Sequence, residues 1–117
     1  MSTDMVSSIM NKVLILGRNK MTSKQRAYLK SLASNMEPVL HIGKASVTPE
    51  TVKAVDEAVT ARELIKIAVL KNCADDPKVI AQIIAERTHS EVVQVIGKKI
   101  VLYKPDRDKP TIKLPLD

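Results

Sequence analysis

The sequence predicts an α/β fold, a two-layer α-β-α-β-α-β-β sandwich on a four-stranded mixed sheet. Three observations carry that prediction. Two helices open on a capping residue followed by proline, Thr48-Pro49 and Asp76-Pro77, and each lies between apolar β runs, which makes two strand-helix-strand crossovers. Leu64-Ile65-Lys66-Ile67-Ala68-Val69-Leu70 is apolar at nearly every position, the pattern of an interior strand. Val92–Ile96 and Ile100–Tyr103 flank Gly97-Lys98-Lys99, a hairpin whose glycine can supply a positive φ.

Each element follows from local chemistry. Thr22-Ser23-Lys24-Gln25 has the capping-box form, and Leu29, Leu32, Ala33 and Met36 recur at helical spacing. A helix of about thirteen residues is expected, closed before Pro38 because the residue preceding proline avoids the helical region. Val39–Ile42 is a short strand ending at Gly43. The second helix starts at Thr48 and buries Val52, Val55, Ala58 and Val59, with Arg62 in its last turn. The third carries Val79, Ile80, Ile83 and Ile84 on one side and ends near Thr88-His89. Residues 1–20 read as a separate, flexible N-terminal extension, 21–104 as the domain, and 105–117 as an extended basic tail. Three of the six prolines fall in the tail beside Lys104, Arg107, Lys109 and Lys113, which predicts mobility.

Composition narrows the function. With 117 residues the chain is one domain long, too short for separate catalytic and substrate domains. Lys and Arg outnumber Asp and Glu by 19 to 13, a net charge of +6 that favours a polyanionic partner. Cys73 is the single cysteine, so neither an internal disulfide nor a thiolate metal cluster can form within one chain, and a reducing cytoplasm fits. Cys73 itself reads as a small core residue. No apolar run reaches the ~18 residues that cross a bilayer, and no export signal is expected in Met1–Lys20. No acid pair, metal-ligand spacing or nucleophile with a nearby base is legible, so no catalytic residue, cofactor, metal or small-molecule substrate is expected. Glu57 and Glu63 read as solvated helix-end charges. A monomer without membrane contact is the expectation.

The stretch that suits a ligand is Ile42-Gly43-Lys44-Ala45-Ser46-Val47-Thr48, a loop running from a strand into a capped helix. Gly43 lets a phosphate approach the backbone, amides at the helix start and the helix dipole favour an anion, and Lys44 adds a mobile cation. An ordinary strand-to-helix connection is the competing reading of the same residues. The second glycine and Lys-Ser/Thr of a P-loop are missing. With no Phe, no Trp and two Tyr, the chain also lacks an aromatic platform for base stacking, so binding should rest on phosphates and on salt. Lys24, Arg26, Lys30, Lys66, Lys98 and Lys99 are candidates to extend the site beyond Gly43, Lys44, Ala45 and Ser46.

Four blocks in order, Met21–Leu29, Pro38–Lys44, Ala61–Lys66 and Val93–Lys98, resemble the CRM domain, and the likeness is close to the stand-alone bacterial YhbY-like proteins. The resemblance spans about Met21 to Pro115. It implies a fold similar to the C-terminal domain of translation initiation factor three, RNA contact through a GxxG loop, and association with rRNA in precursors of the large ribosomal subunit. Gly43 and Lys44 match that loop's first two positions. Its fourth is Ser46 rather than glycine, which keeps a donor for phosphate but adds a Cβ that disfavours a positive φ. Two alternatives stand beside an rRNA-binding role: a module that docks on a protein of the ribosomal particle, and a double-stranded DNA binder.

Overall fold

The computed structural model describes residues 21–115; the expected N-terminal extension lies outside the described residues. The elements are α1 (Ser23–Ala33), β1 (Leu40–Ile42), α2 (Pro49–Arg62), β2 (Leu64–Val69), α3 (Pro77–Thr88), β3 (Glu91–Ile96) and β4 (Lys99–Tyr103). Both halves of the α1 capping box form: Gln25 N donates to Thr22 Oγ1 at 3.0 Å and Thr22 N to Gln25 Oε1 at 3.2 Å. α1 is shorter than expected because Met36 N turns back to the Ala33 carbonyl at 3.0 Å, closing a tight turn. Thr48 Oγ1 accepts from Thr51 N at 3.1 Å, and Asp76 Oδ1 from Lys78 N at 2.9 Å, so both proline-started helices are capped.

The sheet has the order β1-β2-β4-β3. β1 runs parallel to β2, while β4 is antiparallel to both β2 and β3. The β2-α3-β3 crossover therefore leaves one strand's width open, and β4 folds back from the Gly97 turn to fill it. Gly97 has φ +57, the positive value the hairpin needed.

Alternation along the strands sorts the core into two clusters. Ile65, Ile67 and Val69 of β2 and Ile100 and Leu102 of β4 pack against Val55 and Val59 of α2 and Ile80 and Ile84 of α3. Sheet and helix pair are the two full layers. On the other face Leu64, Val93, Val101 and Tyr103 meet Leu29 and Ala33 of α1. Burying each large aliphatic side chain contributes roughly 1.5–3 kcal/mol before entropy is counted. Cys73 lies in the first cluster, 5% exposed.

Arg26, a candidate nucleic-acid ligand from its place on α1, also makes contacts within the fold. The β3–β4 register shifts between Val92 and Gln94, a bulge that turns carbonyls out of the ladder. Arg26 Nη1 donates to Val92 O at 2.7 Å and to Val93 O at 2.9 Å. One nitrogen of the guanidinium, Nη1, thus ties α1 to the edge of β3.

Glu63 overturns an expectation. It is 3% exposed and sits between α2 and β2 at φ +69, ψ −45. That backbone conformation costs a non-glycine residue about 1–3 kcal/mol. The carboxylate accepts from Asp106 N at 3.0 Å, Thr111 N at 2.9 Å and Ile112 N at 2.8 Å, and the Glu63 carbonyl from Lys104 N at 2.7 Å. The tail is consequently held rather than free: Ile112 and Leu114 pack on the α1 cluster, and Gln25 Nε2 donates to Pro115 O at 3.2 Å. Burial, the largest influence, pushes the Glu63 carboxyl up, but the amides of Ile112, Thr111 and Asp106 together hold it below its ordinary value.

Replacing Glu63 with Gln turns an N–H₂ toward amides that need an acceptor. At pH 7 the substitution is expected to cost roughly 2–3 kcal/mol. Because the folded carboxyl titrates lower than the unfolded one, this contribution is complete above the unfolded pKa and fades as pH falls below about 4. Melting curves followed by circular dichroism at pH 7 and pH 3 check both parts, the gap between wild type and Glu63→Gln narrowing at pH 3.

Candidate nucleic-acid interface

β1 and β2 are parallel, and β3 runs the same way, so one end of the sheet collects the carboxyl ends of three strands. This is where ligands meet open α/β sheets. Three turns lie there: residues 43–48 after β1, 70–76 after β2, and the Gly97-Lys98 turn after β3. Hydrogen bonds join them across the sheet. Leu70 N donates to Ile42 O at 2.8 Å, and Val69 N to Lys98 O at 2.7 Å. With strands about 4.8 Å apart, Gly43 and Lys98 are separated by roughly two strand spacings.

Lys44 and Ala45 are exposed at this end, together with Lys98 and Lys99. Lys71, which sequence reasoning missed, is exposed on the middle turn between them. Its one available signal was its place directly after the apolar β2 run. Lys66 is half-buried further down β2, opposite Val101 on the face away from α2 and α3. Ala68 pairs with Lys99, so Lys99 borders that same face. Lys24 and Lys30 are exposed on α1, which packs over Leu64 and Tyr103 at the other end of the sheet. The fold therefore gathers Lys44, Lys98 and Lys99 and leaves the α1 cations apart.

The loop differs from its expected workings in two respects. Several helix-start amides are already engaged: Ser46 N donates to Gly43 O at 2.9 Å, Thr51 N to the cap, and Pro49 has none. Among the described residues the amides of Lys44 and Ala45 donate to no protein acceptor. Gly43, moreover, does not have a positive φ, and a Cβ built on it would stand 3.5 Å from Asn72 Oδ1, an ordinary contact. Neither backbone conformation nor packing demands glycine at 43; the place a Cβ would take borders Asn72 and Leu70 of the neighbouring turn.

Ser46 takes φ +58, the left-handed value natural to glycine. The loop geometry thus survives the substitution, held by the Gly43–Ser46 turn and by Thr51 Oγ1 at 3.5 Å from Ser46 O. The strain is of the order of 1 kcal/mol.

A cavity of about 1030 Å³ lies at the opposite end, between the start of α1, β3 and the tail. Tyr103 borders it with its phenol pushed up, first by burial and then by the Glu63 charge, so it stays protonated at neutral pH. Among the described residues no group of His, Cys, Asp and Glu could hold a metal, and no helix is long and apolar enough to cross a membrane.

Known proteins match this arrangement closely. The CRS1 / YhbY (CRM) domain matches residues 21–104. "Probable RNA-binding protein YqeI" of Bacillus subtilis is 40% identical over 95 residues, which cover 81% of this chain and 99% of the relative. A Haemophilus influenzae protein named "RNA-binding protein" is 32% identical over 95 residues, covering 81% and 95% of the two chains. The solution structure of SAV1595 from Staphylococcus aureus superposes with a TM-score of 0.70 at 44% identity, over 82% of this chain and 100% of that one. An extent of 84 matched residues carrying α1 through β4, with relatives spanned nearly end to end, places this chain in the CRS1/YhbY (CRM) domain family.

Proposed function

We propose that this protein is a non-catalytic RNA-binding protein that grips sugar-phosphate chains through the Gly43–Ser46 loop and the adjoining lysines. The observation that carries the reading is the pair of unspent amides, on Lys44 and Ala45, in an exposed loop flanked by Lys71, Lys98 and Lys99. Backbone N–H groups and ammonium ions together are what phosphate oxygens accept from. The relatives' names point to the same partner. That the RNA is ribosomal, bound in cytoplasmic precursors of the large subunit, rests on the resemblance to stand-alone YhbY-like proteins.

Four lysines neutralising phosphates would release their counterions, so log affinity should fall linearly with log salt at a slope of about −3. Lys44→Ala should weaken binding roughly three- to tenfold on many RNAs alike and make the slope shallower by about 1. A salt titration by fluorescence anisotropy reads both, and an affinity indifferent to salt refutes the phosphate grip. In cells, RNase treatment should release the protein from ribosomal particles; retention would mean that it docks on protein instead.

The two loop positions separate stability from binding. Gly43→Ala should leave stability unchanged or raise it by up to about 1 kcal/mol, since the backbone is compatible with alanine, yet it should weaken RNA binding by placing a methyl where the phosphate approaches. Ser46→Gly relieves the left-handed strain, and a gain of up to about 1 kcal/mol is expected in thermal melts with RNA affinity retained.

A further inference from the structure

Beside the loop lies a cleft of about 340 Å³, between Ala45 and Ser46 on one side and Val79, Ile80 and Ile83 of α3 on the other, with Asp75 at its border. Val79 and Ile83 stand one turn apart on α3 and form an aliphatic wall. Val79 is 53% exposed, a large apolar side chain that the core does not use. Asp75 is exposed, and among the described residues its carboxylate makes no hydrogen bond or ion pair; the neighbouring Asp76 is the one spent on capping α3.

These features select the chemistry of an occupant. A negative carboxylate repels a second phosphate, so the group that follows the loop-bound phosphate into the cleft must be neutral. It must be flat and apolar on its faces to lie along Val79 and Ile83, and it must present N–H groups at its edge, because a carboxylate only accepts. An unpaired nucleobase meets all three demands; a paired one has its edge and faces already covered. Among the bases guanine carries two adjacent donors, N1–H and the N2 amine, that a carboxylate can take together. We propose that the cleft holds a single unpaired guanine whose own strand lies with a phosphate on the Gly43 loop. The assignment rests on the phosphate reading above and adds to it a preference for single-stranded, guanine-bearing RNA.

The test uses the full chain and three labelled RNAs of equal length: one of uridine only, one with a single central guanosine, and one with inosine there, which keeps N1–H but lacks the N2 amine. Anisotropy should show guanosine binding about tenfold more tightly than uridine, with inosine between them. Asp75→Ala, at an exposed position outside the helix cap, should melt as the wild type does and bind guanosine and inosine RNAs equally. Asp75→Asn provides the second variant, with the guanosine advantage reduced. Equal binding of the guanosine and uridine RNAs by the wild type, or a guanosine advantage that survives Asp75→Ala, would overturn the assignment. Lys44→Glu separates the two levels: it should weaken all three RNAs together. If it does while guanosine brings no advantage, the base site alone is wrong; if it weakens none of them, the phosphate grip fails and the base site with it.

Discussion

A carboxylate can be buried in a small domain only when amides replace the water it gives up, and Glu63 meets that condition with three. Its place in the chain gives it two structural duties. One residue joins α2 to β2, and at φ +69 it turns the chain from the helix layer into the sheet. The same side chain then recruits residues 106–112, which carry Ile112 and Leu114 onto the α1 cluster. Strain at the junction and order in the tail are thus coupled, each supported by one buried charge. The Lys104–Asp56 ion pair at 3.4 Å, half-buried at Lys104 and exposed at Asp56, adds little by comparison.

That arrangement divides the sheet into a closed end and an open one. At the closed end α1, Glu63 and the tail cover Leu64 and Tyr103. At the open end the turns after β1, β2 and β3 are joined by main-chain bonds through Leu70 and Val69, and Lys44, Ala45, Lys71 and Lys98 on them remain exposed. Rigidity beneath and exposure above suit a surface that must meet a large polyanion without reorganising.

Local chemistry was readable, and interactions across the chain were not. The caps at Thr22, Thr48 and Asp76, the prolines behind two of them, the interior β2 run and the Gly97 turn each announce themselves within four or five residues, and each appears where the sequence places it. Glu63 does not, because its three donors lie 43 to 49 positions away and nothing in Arg62-Glu63-Leu64 distinguishes a buried acid from a solvated one. Arg26 hides in the same manner behind a partner 66 residues distant. The insertion of β4 between β2 and β3 also escapes, since a crossover fixes handedness and parallelism but not how many strands it spans. The loop itself was legible as a candidate; which of its amides were still unspent required the turn geometry.

The distribution of the two cation types bears on what the open end can discriminate. Among the described residues the arginines lie elsewhere: Arg26 on the β3 carbonyls, Arg62 and Arg87 in the last turns of α2 and α3, and Arg107 in the tail. The strand-end surface is supplied by lysines, compact charges on flexible stems that follow a phosphate wherever it lies, whereas the planar fork of arginine matches a defined bidentate partner. Lysines deliver attraction and salt dependence with little preference for sequence. Any selectivity at this end must then come from groups that meet bases rather than phosphates. On this surface the aliphatic wall of Val79 and Ile83 beside the Asp75 carboxylate has the shape and polarity to do so.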